Sequence, residues 1–319
     1  MGSELEPQEN DKPNEEIKPW SDLPFELLGQ IGDKLPLVEL LGFRSTCKDW
    51  RSASSTALAE CESSVDKEPW FLLYNNGDLD SNSNCRLYQP STNKIYSIEI
   101  PELNGSTCIA SKQGWLLLLR ETSVFFFCPF SRAKIDLPDL PYPNLVNPVG
   151  VFSTLPTSLD CIVCVMHDLN ENSKDVNTLK RGASEWGKHT LERYGKTITG
   201  AAFSNEAFYF SDADKHVLTY YLETEKWVSY TVVPSGKGDT SSPFLFTKNY
   251  FESDLKQKLG LREEESLSIC GTVLQRHDWG DFIHNEDIKA GEAEKLHQNK
   301  GVWIHPRFFQ VPANQSWAL

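Results

Sequence analysis

Basic charge is scarce in this 319-residue sequence: 31 Lys and Arg face 45 Asp and Glu, a formal net charge of −14. A nucleic-acid binder needs a basic face to neutralise phosphates, so that class is disfavoured, as is docking on an anionic membrane. Long apolar runs are missing too. The longest, Trp115 to Leu119 and Val124 to Cys128, are strand-sized and separated by Arg120 and Glu121. A membrane-spanning helix needs about 20 apolar residues. Residues 1–19 hold six acidic side chains and Pro7, Pro13 and Pro19, with almost no apolar content. They read as a disordered acidic lead-in rather than a secretory signal peptide. Glu6 stands where the myristoylation pattern after Gly2 needs Ser or Thr. The expected location is therefore cytoplasm or nucleus. There the eight cysteines stay reduced and the sequons at Asn104 and Asn314 carry no glycan.

Chemistry-bearing motifs are equally thin. Cys161-x-x-Cys164 lies in an apolar strand-like run. Residues three apart on a strand face opposite sides, and no second Cys pair completes a tetrahedral metal site. His277, His284, His297 and His305 share the C-terminal region with Asp278, Asp281 and Glu286, at spacings that match no metal motif. Gly236-Lys237-Gly238 lacks the rest of a phosphate loop, and there is neither a nucleophile elbow nor a zincin helix. The expectation is a protein without catalytic residues, cofactor or metal.

What is present begins at Trp20. Leu23, Leu27, Leu28, Ile31 and Leu35 recur at helical spacing. Ser21 or Asp22 can cap this helix, Pro24 suits its first turn and Pro36 stops it. A second short helix is expected over Leu37 to about Ser45, and a third around Cys47 to Ser55. Three such helices bury too little to be comfortable alone, so a leftover apolar face implies a partner.

After a linker over 56–69, short apolar or aromatic segments alternate with Asn, Asp, Gly, Pro and Ser clusters, the pattern of an all-β domain over 70–319. Ser253 to Glu265 is the clearest helical interruption, charged enough to suggest a solvated surface element. A weak repeat runs through the β region. Tyr88-Gln89-Pro90-Ser91-Thr92-Asn93-Lys94 resembles Cys128-Pro129-Phe130-Ser131-Arg132-Ala133-Lys134, given one inserted residue. Tyr221 to Trp227 and, more loosely, Ser184 to Lys188 follow the same order. The lysines at 94, 134, 188 and 226 are 40, 54 and 38 residues apart, near the about 40–50 residue period of propeller blades. Generic hairpins of a sandwich would use the same turns; the repeat favours a propeller. Gly301 to Phe309, strongly apolar, is expected to be a final strand that closes the domain, with Trp303, Ile304, Phe308 and Phe309 supplying the contacts.

Residues 20–55 resemble the F-box. Leu23-Pro24, Glu26-Leu27-Leu28, Ile31, Leu35-Pro36, Leu40, Phe43-Arg44, Cys47-Lys48 and Trp50-Arg51 carry the likeness, with Thr46 where the family more often has Val. The rest of the chain is similar to the β-propeller-like domain that follows the F-box in many plant proteins of the F-box/kelch-like kind. Tyr88-Gln89-Pro90-Ser91-Thr92, Gly114-Trp115-Leu116-Leu117, Cys128-Pro129-Phe130-Ser131, Leu137-Pro138 and Phe208-Tyr209 carry that part, without the kelch double glycine. The fold class implied is α+β multidomain, a three-helix F-box followed by an all-β propeller. The resemblance also implies a non-catalytic substrate receptor of an SCF-type ubiquitin ligase, bound to a Skp-type adaptor and through it to a cullin, with the β domain holding an unknown protein target. Carried over by position, Leu23, Pro24, Leu27, Leu28, Ile31, Leu40 and Trp50 form the expected adaptor contacts, with Pro24 and Leu28 foremost. The alternative function is a non-degradative interaction or sensor protein; an enzyme built on a propeller ranks third.

Overall fold

The computed structural model describes residues 23–54, 69–75, 84–212, 214, 216–231, 257–259, 261, 267–270, 282–286, 299–307 and 316–317. The chain divides into two compact units, Met1–Glu60 and Cys61–Leu319.

The described residues of the first unit form three helices: α1 (Phe25–Gly32), α2 (Leu37–Thr46) and α3 (Lys48–Ala53). Pro24 is the N-cap of α1 rather than part of its first turn, and no side chain caps the helix. Its carbonyl accepts from the backbone of Leu27 and Leu28 at 3.0 and 3.1 Å. Ser21 and Asp22 lie outside the described residues. Pro36 does not stop α1, which ends four residues earlier; it opens α2, where its missing N–H costs nothing. Leu35 therefore falls between the helices. Cys47 is extended and separates α2 from α3. Arg44 ties the two together. Its guanidinium donates to the Ser54 carbonyl at 2.8 Å and the Arg51 carbonyl at 3.3 Å, while Arg51 donates back to the Arg44 carbonyl at 3.3 Å. Burial, and then the nearby Arg51, lowers the Arg44 pKa.

The second unit is all-β. Its first blade combines β1 (Trp70–Asn75), β2 (Asn84–Gln89) and β3 (Lys94–Glu99) with the C-terminal β18 (Asn299–Ile304). The second is β4 (Thr107–Lys112), β5 (Trp115–Arg120), β6 (Ser123–Cys128) and β7 (Ala133–Asp136). The third is β8 (Val146–Phe152), β9 (Ile162–Asn170), β10 (Ser173–Lys180) and β11 (Gly187–Glu192). The fourth is β12 (Ile198–Ser204), β13 (Ala207–Asp212), β14 (His216–Tyr221) and β15 (Lys226–Thr231). Each is an antiparallel set in which chain neighbours pair, except that β18 supplies the first strand of the first blade. β16 (Leu267–Cys270) and β17 (Phe282–Glu286) bridge the fourth blade to the first. β17 pairs with β12, and β16 runs parallel to β18. The first strands sit side by side, β18 beside β4, β4 beside β8, and β8 beside β12.

This stacking explains the apolar runs. β5 and β6 are buried along five of six residues each, because blades cover both faces. Trp115 meets Phe126 edge-on at 6.4 Å, and Phe126 meets Phe152 of the next blade at 4.9 Å. Between the third and fourth blades Met166, Cys164 and Val176 pack with Phe208, Phe210 and Tyr220. Gly150 has no room for a side chain, since a Cβ there would lie 2.9 Å from Ile109 and 3.1 Å from Leu117 of the second blade.

The sequence repeat is the hairpin between the third and fourth strands of a blade. Gln89 pairs with Lys94, Cys128 with Ala133 and Tyr221 with Lys226, each closing a four-residue turn. Each turn ends on a left-handed residue: Asn93 at φ 52°, Arg132 at 61° and Glu225 at 53°. No residue is inserted. Lys94 and Lys226 are equivalent to Ala133, so Lys134 stands one place further on and faces the other side of its strand. The looser fourth copy has a longer turn, because Thr178 pairs with Gly187.

The closing strand was anticipated; its details were not. β18 pairs with β1 from Trp70↔Ile304 to Asn75↔Asn299. Val302 and Ile304 are fully buried, and Trp303 packs edge-on against Phe71 at 5.1 Å. Phe308 and Phe309 lie outside the described residues. The chain then reaches Trp317, stacked on Phe126 at 5.7 Å, with its indole donating to the Lys180 carbonyl at 3.3 Å. The charged stretch 253–265 is helical over 257–259 among its described residues, with Gln257 and Lys258 exposed as expected, but one residue departs from a purely solvated element. Leu259 is buried with Phe71, Leu73, Tyr88 and Leu267.

Candidate functional site

Along the eight residues of α1, about 100° of rotation per residue separates the apolar positions into two sides. Leu28 and Gly32 point inward. Leu28 is 2% exposed and packs with Phe43 and Ala53, with Leu23, Leu35 and Trp50 partly buried around them. Gly29 follows the same constraint, since a Cβ there would come 3.3 Å from the Ala53 carbonyl. Leu27 and Ile31, one turn apart, are 45% and 39% exposed and make an outward ridge headed by exposed Pro24. Phe25, 54% exposed, stands on the opposite flank.

The seven residues assigned to adaptor contact therefore divide. Pro24, Leu27 and Ile31 are on the surface. Leu23 is half-buried, and Trp50 is half-buried against Phe43 with ring centroids 4.4 Å apart. Leu28 and Leu40 are interior in this unit, and Leu40 has no exposed surface. A short helix has only one face to spare for its own core, and in α1 Leu28 occupies its centre. Phe25 is exposed as well and lies outside the i, i+4 row of Leu27 and Ile31.

Among its described residues the second unit carries several polar networks. In the third blade the fully buried Asp175 carboxylate accepts from Thr190 at 2.8 Å and pairs with Lys188 at 2.7 Å. Lys188 also lies 4.7 Å over the Tyr142 ring, and its pKa is raised by hydrogen bonds to Asp175 and Tyr142. Buried Lys174 pairs with Asp168, which also accepts from Asn147 at 2.7 Å. His167, buried beside Tyr142, is held below the ordinary histidine pKa by burial. In the fourth blade Asp212 accepts from the Tyr194 hydroxyl at 2.9 Å and from the backbone of Asp214 and His216 at 2.8 Å. Burial alone would raise its pKa; these donors and His216 outweigh burial and lower it.

Cys164 is a core thiol of β9, its pKa raised by burial alone. Cys161 lies one residue ahead of that strand, and its Sγ donates to the Thr154 carbonyl at 3.3 Å. Burial pushes that thiol up to about 11, so both are protonated at neutral pH. Among the described residues no group of three or more His, Cys, Asp or Glu is placed to hold a metal, and no helix is long and apolar enough to cross a membrane. The side chains of His277, His284 and His297 lie outside the described residues; His305 is half-buried after β18.

The four-stranded blades coincide with a match to the family profile described as KIB1-4 beta-propeller, over residues 87–275. The chain belongs to that family. In this KIB1-4 propeller protein the helical unit also matches the F-box domain profile, over residues 20–57. It is thus a plant-type F-box protein with a propeller domain, as its relatives agree. An Arabidopsis thaliana F-box/kelch-repeat protein is 29% identical over 228 residues, 70% of this chain and 62% of its own length. An Arabidopsis thaliana F-box protein is 29% identical over 203 residues, 61% of this chain and 52% of its own. A shorter one is 34% identical over 122 residues, 37% of this chain and 81% of its own. The chain spans 52% to 62% of the length of the first two.

Proposed function

We propose that this protein is a substrate receptor of an SCF-type ubiquitin ligase. The F-box helices bind a Skp-type adaptor, which brings a cullin, and the propeller binds a protein target. The receptor itself contributes no chemistry; it raises the local concentration of the target beside the ubiquitin-loaded enzyme. The setting is cytoplasm or nucleus.

The observation that carries this reading is the Pro24, Leu27 and Ile31 ridge, solvent-exposed on the unit that matches the F-box. Aliphatic side chains in a row on a short helix are the usual anchors of a helix laid into a groove. The test is co-purification of the full chain with adaptor and cullin. Leu27→Asp combined with Ile31→Asp abolishes capture while leaving the melting of the propeller unchanged. Undiminished capture by that variant overturns the reading.

A further inference from the structure

Among the described residues of the propeller unit two cations are buried, Lys174 and Arg181. Lys174 has its counter-ion in Asp168. Arg181, first in the connection from β10 to β11, is 8% exposed, and its Nε and Nη1 are buried without a hydrogen-bond partner. Burial lowers its pKa, opposed by the nearby Cys161 thiol. The chain carries 45 acidic side chains against 31 basic ones, so carboxylates are not in short supply. Buried donors are normally satisfied, and a buried charge normally has a partner.

The guanidinium rests on a fixed platform. It lies 5.0 Å over the Trp317 ring, which is held by its stacking on Phe126 and its bond to the Lys180 carbonyl. The Arg181 backbone donates to the Cys161 carbonyl at 2.8 Å. That ties it to residues 153–161, where the Cys161 thiol donates to the Thr154 carbonyl at 3.3 Å. Thr154 Oγ1 is also buried without a partner, while the residue as a whole is half-buried, which puts the cluster near the surface. Lys112 reaches the same place from the end of β4, its Nζ donating to the Ser153 carbonyl at 2.8 Å. Burial raises the Cys161 pKa, and Lys112 and Arg181 both act against that rise, so the two charges converge on one thiol. The 153–161 connection is the long one at its end of the propeller; residues 113–114 and 205–206 suffice in the second and fourth blades. Loops held by a rigid scaffold are where binding residues collect.

We propose that Arg181 and Thr154 form a binding site for a carboxylate, carried by an acidic side chain of the target protein. That the carrier is a target rests on the receptor reading; the chemistry of the site does not. A guanidinium stacked on an indole keeps its N–H edge for a ligand, and a carboxylate matches that planar fork with two hydrogen bonds. Thr154 adds a hydroxyl donor beside it. Lys112 already donates to a backbone carbonyl, so the charge still to be matched is that of Arg181, which suits a monoanion better than a phosphate dianion.

Thermal melting of the full chain in sodium acetate, against sodium chloride at equal ionic strength, tests the site. Acetate at about ten times its dissociation constant raises the melting temperature of the wild-type propeller by about 2–4 °C. Arg181→Met keeps an apolar contact with Trp317, loses the acetate response, and in chloride melts no lower than the wild type, because an unmatched buried charge is gone. An equal response in that variant, or a melting temperature well below the wild type in chloride, would overturn the site. A response to inorganic phosphate without one to acetate would overturn the carboxylate. Selection of a random-peptide display library on the immobilised full chain tests the carrier: acidic peptides are enriched on the wild type and lost on Arg181→Met, and no such enrichment would overturn it. Failed capture of adaptor and cullin with the acetate response intact would refute the receptor reading and leave the site standing.

Discussion

Removing Gly301 to Leu319 should unfold the propeller unit as a whole. The cut takes Val302, Ile304 and Trp317, each 0–1% exposed, and Trp303, which packs on Phe71. At about 1.5–3 kcal/mol per large buried side chain, the three buried ones alone are worth about 5–9 kcal/mol. A whole domain is stable by only about 5–15 kcal/mol. The cut also strips β1 of most of its partner from Trp70 to Asn75, exposing an apolar edge inside the first blade. Thermal unfolding and limited proteolysis should show an aggregated or protease-sensitive propeller, with adaptor capture by the F-box retained. A truncated protein melting in one transition near the intact temperature would refute the closure argument. Gly301→Ala probes the same seam without shortening the chain. A Cβ at 301 would sit 2.1 Å from Phe71 Cζ, so the ring must move or the strands must separate. Overpacking of that kind costs about 1–3 kcal/mol, read as a lowered melting temperature; an unchanged one would mean the ring swings away freely.

Two further outcomes are expected. Leu28→Ala should destabilise the helical unit by about 2–5 kcal/mol, because it empties a buried site, whereas Leu27→Ala should change its stability by at most about 0.5 kcal/mol. Helical circular dichroism in denaturant distinguishes them, and equal losses would contradict the division of α1 into inner and outer sides. His167 gives a pH dependence of known sign. Its folded pKa is depressed by burial, so the unfolded chain takes up a proton that the folded one refuses, and stability falls as pH drops through about 6.5. His167→Gln should flatten the fall in denaturation midpoint between about pH 7 and 5, and an unaltered slope would assign it to other groups.

Much of the local structure was legible in the residues. β5 and β6 were visible as apolar runs and β9 as the strand-like run holding Cys164, and α2 and α3 were found within a residue or two. The four-residue turns at 90–93, 129–132 and 222–225 showed through as a repeat because turn chemistry is local. β10 was not seen. Its sequence, Ser-Lys-Asp-Val-Asn-Thr-Leu-Lys, reads as a polar loop, yet Ser173 to Asn177 are all buried. Asp175 and Lys174 can lie inside because Lys188, Thr190 and Asp168 come to them from neighbouring strands, and such partners leave no mark in the segment itself.

The sequence by itself determined the order of parts: an F-box at the start, a β region with blade-like hairpins, an apolar terminus suited to closing it. Those properties depend on residues within about ten positions of one another, through periodicity, turn propensity and motif spacing. Tertiary structure decided which side of α1 is surface, sending Leu28 inward and leaving Leu27 and Ile31 outside. It decided that β18 would meet β1 across more than two hundred residues of chain, with Phe71 over Gly301. It decided as well that Leu259 and Trp317 would be core. Each of these is a packing choice between distant segments, settled by which neighbour covers an apolar surface, and amphipathicity alone says only that some surface must be covered.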